Sequence, residues 1–168
     1  RYLLADQVGL GKTVQLALAA KLMAHYGDRP ILILVPKPLM IQWQDELWNL
    51  LELPSARWNG RQWIDEQGVA YPEFVPQGMR KCPRRIGIMS TGLIIRGSET
   101  VDLIKDLDYE CVILDEAHRA RRSNLGPTHR GEKAEPNNLL RFLMDIAART
   151  RCLLLATATT VLLDPIEA

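Results

Sequence analysis

The chain has 168 residues, of which 47% are hydrophobic and 24% are charged. This balance is typical of one globular domain and excludes disordered, fibrous and collagen-like chains. Lys and Arg number 21 and Asp and Glu number 20, so the net charge of +1 gives no overall basic field, and any nucleic-acid contact needs a local patch. Three cysteines without a CxxC pair favour a reduced, cytoplasmic chain over a disulfide scaffold. The longest apolar run, around Ile31–Val35, is far shorter than the ~20 residues of a membrane helix, so we expect no membrane partner.

Five short apolar runs alternate with longer amphipathic stretches. The runs are residues 2–5, 31–35, 86–89, 111–114 and 152–156. Because each run is apolar at successive positions, both faces of the strand must be buried, as in a parallel sheet that is covered by helices. We therefore predict an α/β, doubly wound fold in which a mostly parallel sheet carries helices on both faces.

Three amphipathic stretches, residues 13–26, 39–51 and 138–148, have the spacing of helices. The first is expected to end at Gly27, and Asn137 is a start signal for the third. The side chains expected to face the core are Leu16, Ala17, Ala20 and Met23 in the first helix, and Leu139, Leu140, Leu143 and Ile146 in the third. The stretch of about 55–85 breaks the alternation, ends in basic residues, and is interpreted as a surface insertion.

A glycine-rich turn, DQVGLGKT, follows the first strand and leads directly into the first helix. Such a turn lets backbone amides approach an anion at the positive end of a helix. In a phosphate-binding loop Lys12 would reach the β- and γ-phosphates and the Thr13 hydroxyl would bind Mg²⁺. The alternative is an ordinary turn with an exposed lysine. The candidate nucleotide-binding residues are Asp6, Gln7, Val8, Gly9, Leu10, Gly11, Lys12 and Thr13.

Two adjacent carboxylates, Asp115 and Glu116, end the strand predicted at 111–114. Ligands of α/β sheets bind at the carboxyl ends of the strands. Asp115 is therefore a candidate Mg²⁺ ligand, and Glu116 a candidate catalytic group that polarises the attacking water, with Lys12 as the second catalytic candidate. The alternative is a pair of acids that only caps the next segment.

The motifs DQVGLGKT and VILDEAH resemble the first and second motifs of Swi/Snf-type, superfamily-two helicase-like ATPases, in which Asp6 is itself typical. The segment ILILVPKPLMIQWQDEL resembles the next motif, with its Gln42-Trp43 pair, although Trp43 is equally explained as core packing. The segments IGIMST and LLLATAT resemble later motifs, so the resemblance spans the chain. It implies the first RecA-like lobe of a P-loop NTPase with a DEAH box.

The resemblance also implies roles for residues outside the phosphate loop. His118, Thr157, Ala158 and Thr159 would couple the nucleotide site to the nucleic-acid track. Lys37, Pro38, Ser90 and Thr91 would lie where the family contacts the nucleic-acid backbone. Three positions depart from the family pattern, namely Gln7, Thr160 and Leu162, and the last two follow the residues expected to couple the two sites.

The resemblance further implies partners for this lobe. Family members have a second RecA-like lobe, and an adenine-binding segment ahead of the first motif, so we expect residues 1–168 to be one lobe of a longer protein. The expected function is ATP- and Mg²⁺-dependent movement on duplex DNA, in the cytoplasm at the nucleoid of a bacterium or in a eukaryotic nucleus. Alternatives are a DEAH-box unwinding helicase, a restriction-type translocase subunit, or a nucleotide-dependent binding module without turnover. The isolated lobe is expected to be nearly inactive.

Overall fold

The computed structural model of the chain describes residues 2–5, 11–71, 80–97, 99–123 and 135–157. Eight strands in these ranges form one sheet in the spatial order β1-β10-β7-β2-β6-β3-β4-β5, and β8 and β9 form a separate antiparallel pair. The strands are β1 (Tyr2–Ala5), β2 (Ile31–Val35), β3 (Ser55–Trp58), β4 (Trp63–Asp65), β5 (Ala70–Tyr71), β6 (Ile86–Ser90), β7 (Tyr109–Leu114), β8 (Arg122–Ser123), β9 (Glu135–Pro136) and β10 (Thr150–Thr157).

In this spatial order, the six strands β1, β10, β7, β2, β6 and β3 are parallel to one another. Strand β4 pairs with β3 on one side and with β5 on the other, both in antiparallel fashion. Five described helices connect the strands: α1 (Lys12–Tyr26), α2 (Met40–Leu51), α3 (Thr91–Arg96), α4 (Glu99–Lys105) and α5 (Asn138–Ala147). Parallel neighbours need crossover connections, and helices are the usual crossover elements. The predicted α/β fold with a mostly parallel sheet is confirmed.

Two hydrophobic clusters cover opposite faces of the sheet. On β2, Ile31, Ile33 and Val35 pack with residues of α1 and α2, whereas Leu32 and Leu34 pack with residues of α3, α4 and α5. Successive side chains of a strand point to opposite faces, so a strand that is apolar throughout is buried on both sides. The predicted placement of helices on both faces is therefore confirmed.

The ends of the helices follow local signals in the sequence. Gly27 closes α1 by donating its N–H to the carbonyl of Met23 at 2.9 Å, and a Cβ at this glycine would overlap the side chain of Glu110. Asn137 caps α5, since its side-chain oxygen accepts a hydrogen bond from the N–H of Leu140 at 2.9 Å. These contacts explain why the first predicted helix ends, and the third begins, where the sequence predicts.

The segment predicted as a surface insertion at 55–85 differs from that expectation in its described residues, 55–71 and 80–85. Strand β3 pairs with β6 and extends the sheet, and β4 and β5 complete an antiparallel edge. Trp58 and Trp63 are buried at 3% and 2% exposure, with their rings 5.3 Å apart. The tryptophans supply the apolar surface that anchors these short strands to the core.

Two expectations about α5 and the connecting helices are also corrected. Leu140 is half-buried, and Phe142 takes the buried position instead. Helices α3 and α4 are not among the predicted helices. In the described residues, no helix is long and apolar enough to cross a membrane.

Candidate active site

The carboxyl ends of β1, β10 and β7 lie at one edge of the sheet. Ala5 pairs with Thr157 across β1 and β10, and Leu155 pairs with Leu114 across β10 and β7. The three strands are parallel, so the chain leaves β1 and β7 at nearly the same level, two strand spacings or roughly 10 Å apart. The ends of β1 and β7 are therefore brought to the same edge.

The C-terminal end of α1 lies beside Glu110 at the start of β7, so the first turn of this 15-residue helix, with half-buried Lys12 and Thr13, lies towards the carboxyl edge of the sheet. Gly11 precedes them in the left-handed conformation, with φ 72°, which a residue without a Cβ adopts at little cost. The first N–H groups of a helix have no intrahelical partner, and together with the helix dipole they attract anions. The Lys12 ammonium and the Thr13 hydroxyl are carried by the first turn of a 15-residue helix with that property.

Part of the predicted site lies outside the described residues. This applies to Asp6, Gln7, Val8, Gly9 and Leu10 of the glycine-rich turn, and to Ala158, Thr159, Thr160 and Leu162 near the other motif. Their predicted roles stay predictions.

Asp115 follows β7 directly and is held by three hydrogen bonds. Its N–H donates to the carbonyl of Leu34 at 2.9 Å, which extends the pairing with β2. The carboxylate oxygen Oδ1 accepts from the N–H of Glu116 at 2.9 Å, and Oδ2 accepts from the indole Nε1 of Trp43 at 3.1 Å. Each carboxylate oxygen has about two acceptor positions, so both retain capacity for a further ligand.

Glu116 has a left-handed backbone, with φ 58° and ψ 49°. A residue with a Cβ pays roughly 1–2 kcal/mol in that conformation, and such strain is concentrated at functional sites. The turn directs the Glu116 carboxylate to His118, whose Nδ1 lies 3.1 Å from Oε2. The same Nδ1 is 3.4 Å from the Thr157 hydroxyl, so His118 contacts both the segment after β7 and the end of β10.

The donors at this edge suit a hard divalent cation that is bound together with phosphates. Mg²⁺ is usually held by one or two carboxylates, with phosphate oxygens and water completing its shell, rather than by a protein cage. Asp115 supplies a carboxylate and Thr13 a hydroxyl. In the described ranges no group of three or more His, Cys, Asp and Glu side chains is placed to hold a metal ion.

The four residues predicted to contact nucleic acid have different surroundings. Lys37 and Pro38 are exposed in a 3-10 turn after β2. Ser90 ends β6 and caps α3 by accepting the N–H of Gly92 at 3.2 Å. Thr91 is 0% exposed because it begins α3 on the side that faces the core, and its predicted contact with nucleic acid stays a prediction.

One contact was not predicted as a part of the site. Trp43 lies on α2, 72 positions before Asp115 in sequence, and its indole reaches that carboxylate. The Gln42-Trp43 pair was the signal, but core packing explained it equally well. Gln42 itself is exposed and donates to Glu46 on the same helix at 2.8 Å.

Comparisons with known proteins identify the family. The sequence profile of the SNF2-related domain matches residues 2–129. RNA polymerase-associated protein RapA of Klebsiella pneumoniae (strain 342) is 28% identical over 161 residues, which are 95% of this chain and 15% of RapA. This chain therefore spans about one seventh of that relative.

Two solved structures share the fold. The Sulfolobus solfataricus SWI2/SNF2 ATPase core in complex with dsDNA has a TM-score of 0.63 at 16% identity, over 98% of this chain and 29% of that chain. The Pyrococcus furiosus Hef helicase domain has a TM-score of 0.65 at 18% identity, over 98% of this chain and 30% of that chain. The chain belongs to the SNF2-related domain family and is a Swi/Snf-type, superfamily-two helicase-like ATPase lobe.

Proposed function

We propose that this lobe binds Mg²⁺-ATP at the sheet edge and that the longer protein couples ATP hydrolysis to movement along duplex DNA. One observation carries the proposal. Helix α1 ends beside Glu110 at the start of β7, so its first turn, with Lys12 and Thr13, lies towards the edge where β7 ends at Asp115 and Glu116, in a chain of the SNF2-related family. Such an edge is the usual ligand site of an α/β sheet.

The side chains at this edge have separate roles in phosphoryl transfer. Lys12 and the first amides of α1 bind and neutralise phosphate oxygens. Thr13 and Asp115 hold the cation, which supplies charge neutralisation at the phosphates when it is bound. Glu116 orients and polarises a water molecule, and its contact with His118 at 3.1 Å fixes the carboxylate. Phosphoryl transfer depends mainly on such positioning and charge neutralisation.

His118 is the proposed link between nucleotide state and movement. Its Nδ1 contacts Glu116 at 3.1 Å and lies 3.4 Å from the hydroxyl of Thr157, which is buried at the end of β10. A change at Glu116 is thereby transmitted to the strand between β1 and β7. We propose that Ala158 and Thr159, which follow β10, carry this change further.

The partners in the proposal are duplex DNA and a second RecA-like lobe of the same protein. The Sulfolobus protein of similar fold is a SWI2/SNF2 ATPase core in complex with dsDNA. Exposed Lys37 and Pro38, with Ser90, are the proposed backbone contacts, since they follow neighbouring parallel strands at the same edge. The second lobe would supply arginine to the transition state, and the protein would act where its DNA is, at the bacterial nucleoid or in the nucleus.

The test is the ATPase rate of the full-length protein with duplex DNA, single-stranded DNA and RNA at one fixed salt concentration, since phosphate contacts make affinity salt-dependent. We expect duplex DNA to stimulate most, without strand separation, and Glu116→Gln to lower the rate by about 10² or more. Residues 1–168 alone should show near-background turnover, because an arginine supplied across a cleft is worth about 10³–10⁵ in rate.

Glu52→Gln is the matched control. In the described residues Glu52 and Glu116 are the two non-glycine residues with positive φ, but Glu52 is exposed at the far end of α2. This control should keep the wild-type rate. Strongest stimulation by RNA, or strand separation, would favour an unwinding helicase. Turnover that is insensitive to Glu116→Gln would favour a binding module.

A further inference from the structure

Trp43 lies in the core between α2 and the sheet, and only 2% of its surface is exposed. It belongs to the hydrophobic cluster that contains Leu16 and Ala17 of α1, Val35 of β2 and Ile113 of β7. Its indole Nε1 nevertheless reaches out of this apolar cluster to the Asp115 Oδ2, at 3.1 Å. One side chain thus connects the packing of α1 and α2 with the carboxylate at the sheet edge.

We propose that Trp43 is a positioning residue for Mg²⁺-nucleotide binding, whose indole N–H fixes the orientation of the Asp115 carboxylate. The proposal rests on the cation-binding role of Asp115 proposed above. It differs from core packing, which requires the ring of Trp43 but not its N–H.

Burial alone does not account for this hydrogen bond. Trp58 is 3% exposed, about as buried as Trp43, and its indole nitrogen has no hydrogen-bond partner among the residues that the structure describes. The fold therefore tolerates a buried indole N–H without an acceptor, although most buried tryptophans find one. The Trp43 contact is a specific arrangement at Asp115 rather than a general consequence of burying tryptophan.

The hydrogen bond from Trp43 holds the carboxylate oxygen of Asp115 that the local backbone does not bind. Oδ1 of Asp115 accepts a hydrogen bond from the N–H of the next residue, Glu116, at 2.9 Å, and this contact holds one of the two carboxylate oxygens. Trp43 holds the other oxygen from a different helix, and its own ring is fixed by the core. Hydrogen bonds to an ionised carboxylate are roughly twice as strong as neutral ones.

Orientation matters because ligands are most effective when other groups lock them in place. Replacing such a supporting partner usually costs about 10- to 100-fold in metal affinity or activity. The two bonds at Asp115 each use one acceptor position, which leaves positions on both oxygens for the cation or its water. Trp43 therefore orients the carboxylate without occupying it.

The experiment replaces Trp43 with Phe in the full-length protein, which keeps an aromatic ring and removes the N–H. The Mg²⁺ concentration for half-maximal binding of a non-hydrolysable ATP analogue should rise about 10-fold. Trp58→Phe is the control, because it removes the same atoms from an equally buried tryptophan. This control should leave the Mg²⁺ dependence unchanged, whatever either substitution does to thermal stability.

Asp115→Asn separates this inference from the proposed function. If Asp115→Asn raises the Mg²⁺ requirement and Trp43→Phe does not, the inference is overturned and the site stands. If Asp115→Asn has no effect, the proposed cation site itself fails. In the Asp115→Asn background, Trp43→Phe should add little, because its effect acts through that carboxylate.

A second variant covers the case in which Trp43→Phe does not fold. Trp43→Met is the second variant, since methionine fills irregular core space without an N–H. An unchanged Mg²⁺ dependence in either folded variant contradicts the inference. If neither variant folds while Trp58→Phe does, core packing explains Trp43 and the inference is overturned.

Discussion

At the scale of single residues, Asp115 and Glu116 are adjacent but have different surroundings. The Asp115 carboxylate is held by Trp43 and by a backbone N–H, with both oxygens engaged. The left-handed turn at Glu116 directs the second carboxylate to His118 instead. A cation ligand and a group that polarises water need such different environments, because the first must be fixed and the second must accept a proton.

The two carboxylates should fail differently when their charge is removed. Asp115→Asn should weaken the binding of Mg²⁺-nucleotide as well as turnover. Glu116→Gln should keep nucleotide affinity while turnover falls by about 10² or more, since glutamine keeps the shape but cannot act as a base. Titration calorimetry and single-turnover kinetics measure the two effects. An equal loss of binding in both variants would remove the basis for the role of Glu116.

Candidate site residues that form a local sequence motif could be predicted, whereas contacts between residues distant in sequence could not. Lys12 with Thr13, and Asp115 with Glu116, form local patterns after predicted strands. The contact between Trp43 and Asp115 spans 72 positions, and a sequence carries no sign of which acceptor a buried indole will reach. The burial of Thr91 was not predicted, because its position in the family motif does not reveal that α3 turns its hydroxyl inward.

At the scale of secondary-structure elements, the antiparallel edge is held by an ionic cluster. Arg84 Nη2 lies 2.9 Å from both Asp65 Oδ2 and Glu66 Oε1. Burial raises the pKa of Asp65, but hydrogen bonds from the Val69 N–H and the Tyr71 hydroxyl, with Arg84, outweigh it, so this pKa is lowered overall. Burial likewise raises the pKa of Glu66, and the Arg84 hydrogen bonds reverse the shift.

The Asp65→Asn substitution should destabilise strands β3 to β5 by about 1.5–3 kcal/mol at pH 7, because the Val69 N–H, the Tyr71 hydroxyl and Arg84 lose a charged acceptor, although Arg84 keeps its contact with Glu66. The folded pKa of Asp65 lies below its ordinary value of 3.8, so its contribution is complete above that value and is lost as the pH falls further. Hydrogen exchange of the β3 and β4 amides gives the free energy of opening this edge in wild type and variant at each pH. The difference in this free energy between the two proteins should shrink below about pH 4.

Asp145→Asn is the control for this prediction. Asp145 pairs with Lys105 at 3.2 Å but its side chain is 54% exposed. Exposed ion pairs contribute about 0–1 kcal/mol, so this variant should change the exchange of the β3 and β4 amides little, both at neutral pH and below about pH 4. A difference for Asp65→Asn that persists unchanged at pH 3 would mean that the charge of Asp65 does not stabilise the edge.

Elements with strong boundaries were predicted from the sequence, and short ones were not. Both ends of strand β2 were predicted correctly, because Pro30 and Pro36 flank its five apolar residues. Helices α3 and α4 have six and seven residues, too few to show a periodic apolar face. Strands β3 to β5 lie in a stretch rich in glycine and polar residues, where sheet pairing rather than local pattern decides the structure.

At the scale of the whole molecule, the strand order builds the site. Strand β10 lies between β1 and β7, so the ends of β1 and β7 lie two strand spacings apart at one edge of the sheet. Hydrophobic runs predict that a parallel sheet exists, but they do not give the order of its strands. The meeting of the two motifs at one edge was predicted because each follows a predicted strand and ligands of α/β sheets bind at the carboxyl ends of the strands, and the register of β1, β10 and β7 supports it.

The most direct test is a crystal or cryo-EM structure of the full-length protein with Mg²⁺ and a non-hydrolysable ATP analogue. The account predicts that the phosphates lie at the start of α1 against Lys12, with Mg²⁺ within direct or one-water reach of both the Thr13 hydroxyl and the Asp115 carboxylate. Glu116 should face the γ-phosphate through a water molecule. A nucleotide bound elsewhere, or a Mg²⁺ ion that neither Thr13 nor Asp115 reaches, would contradict the shared site.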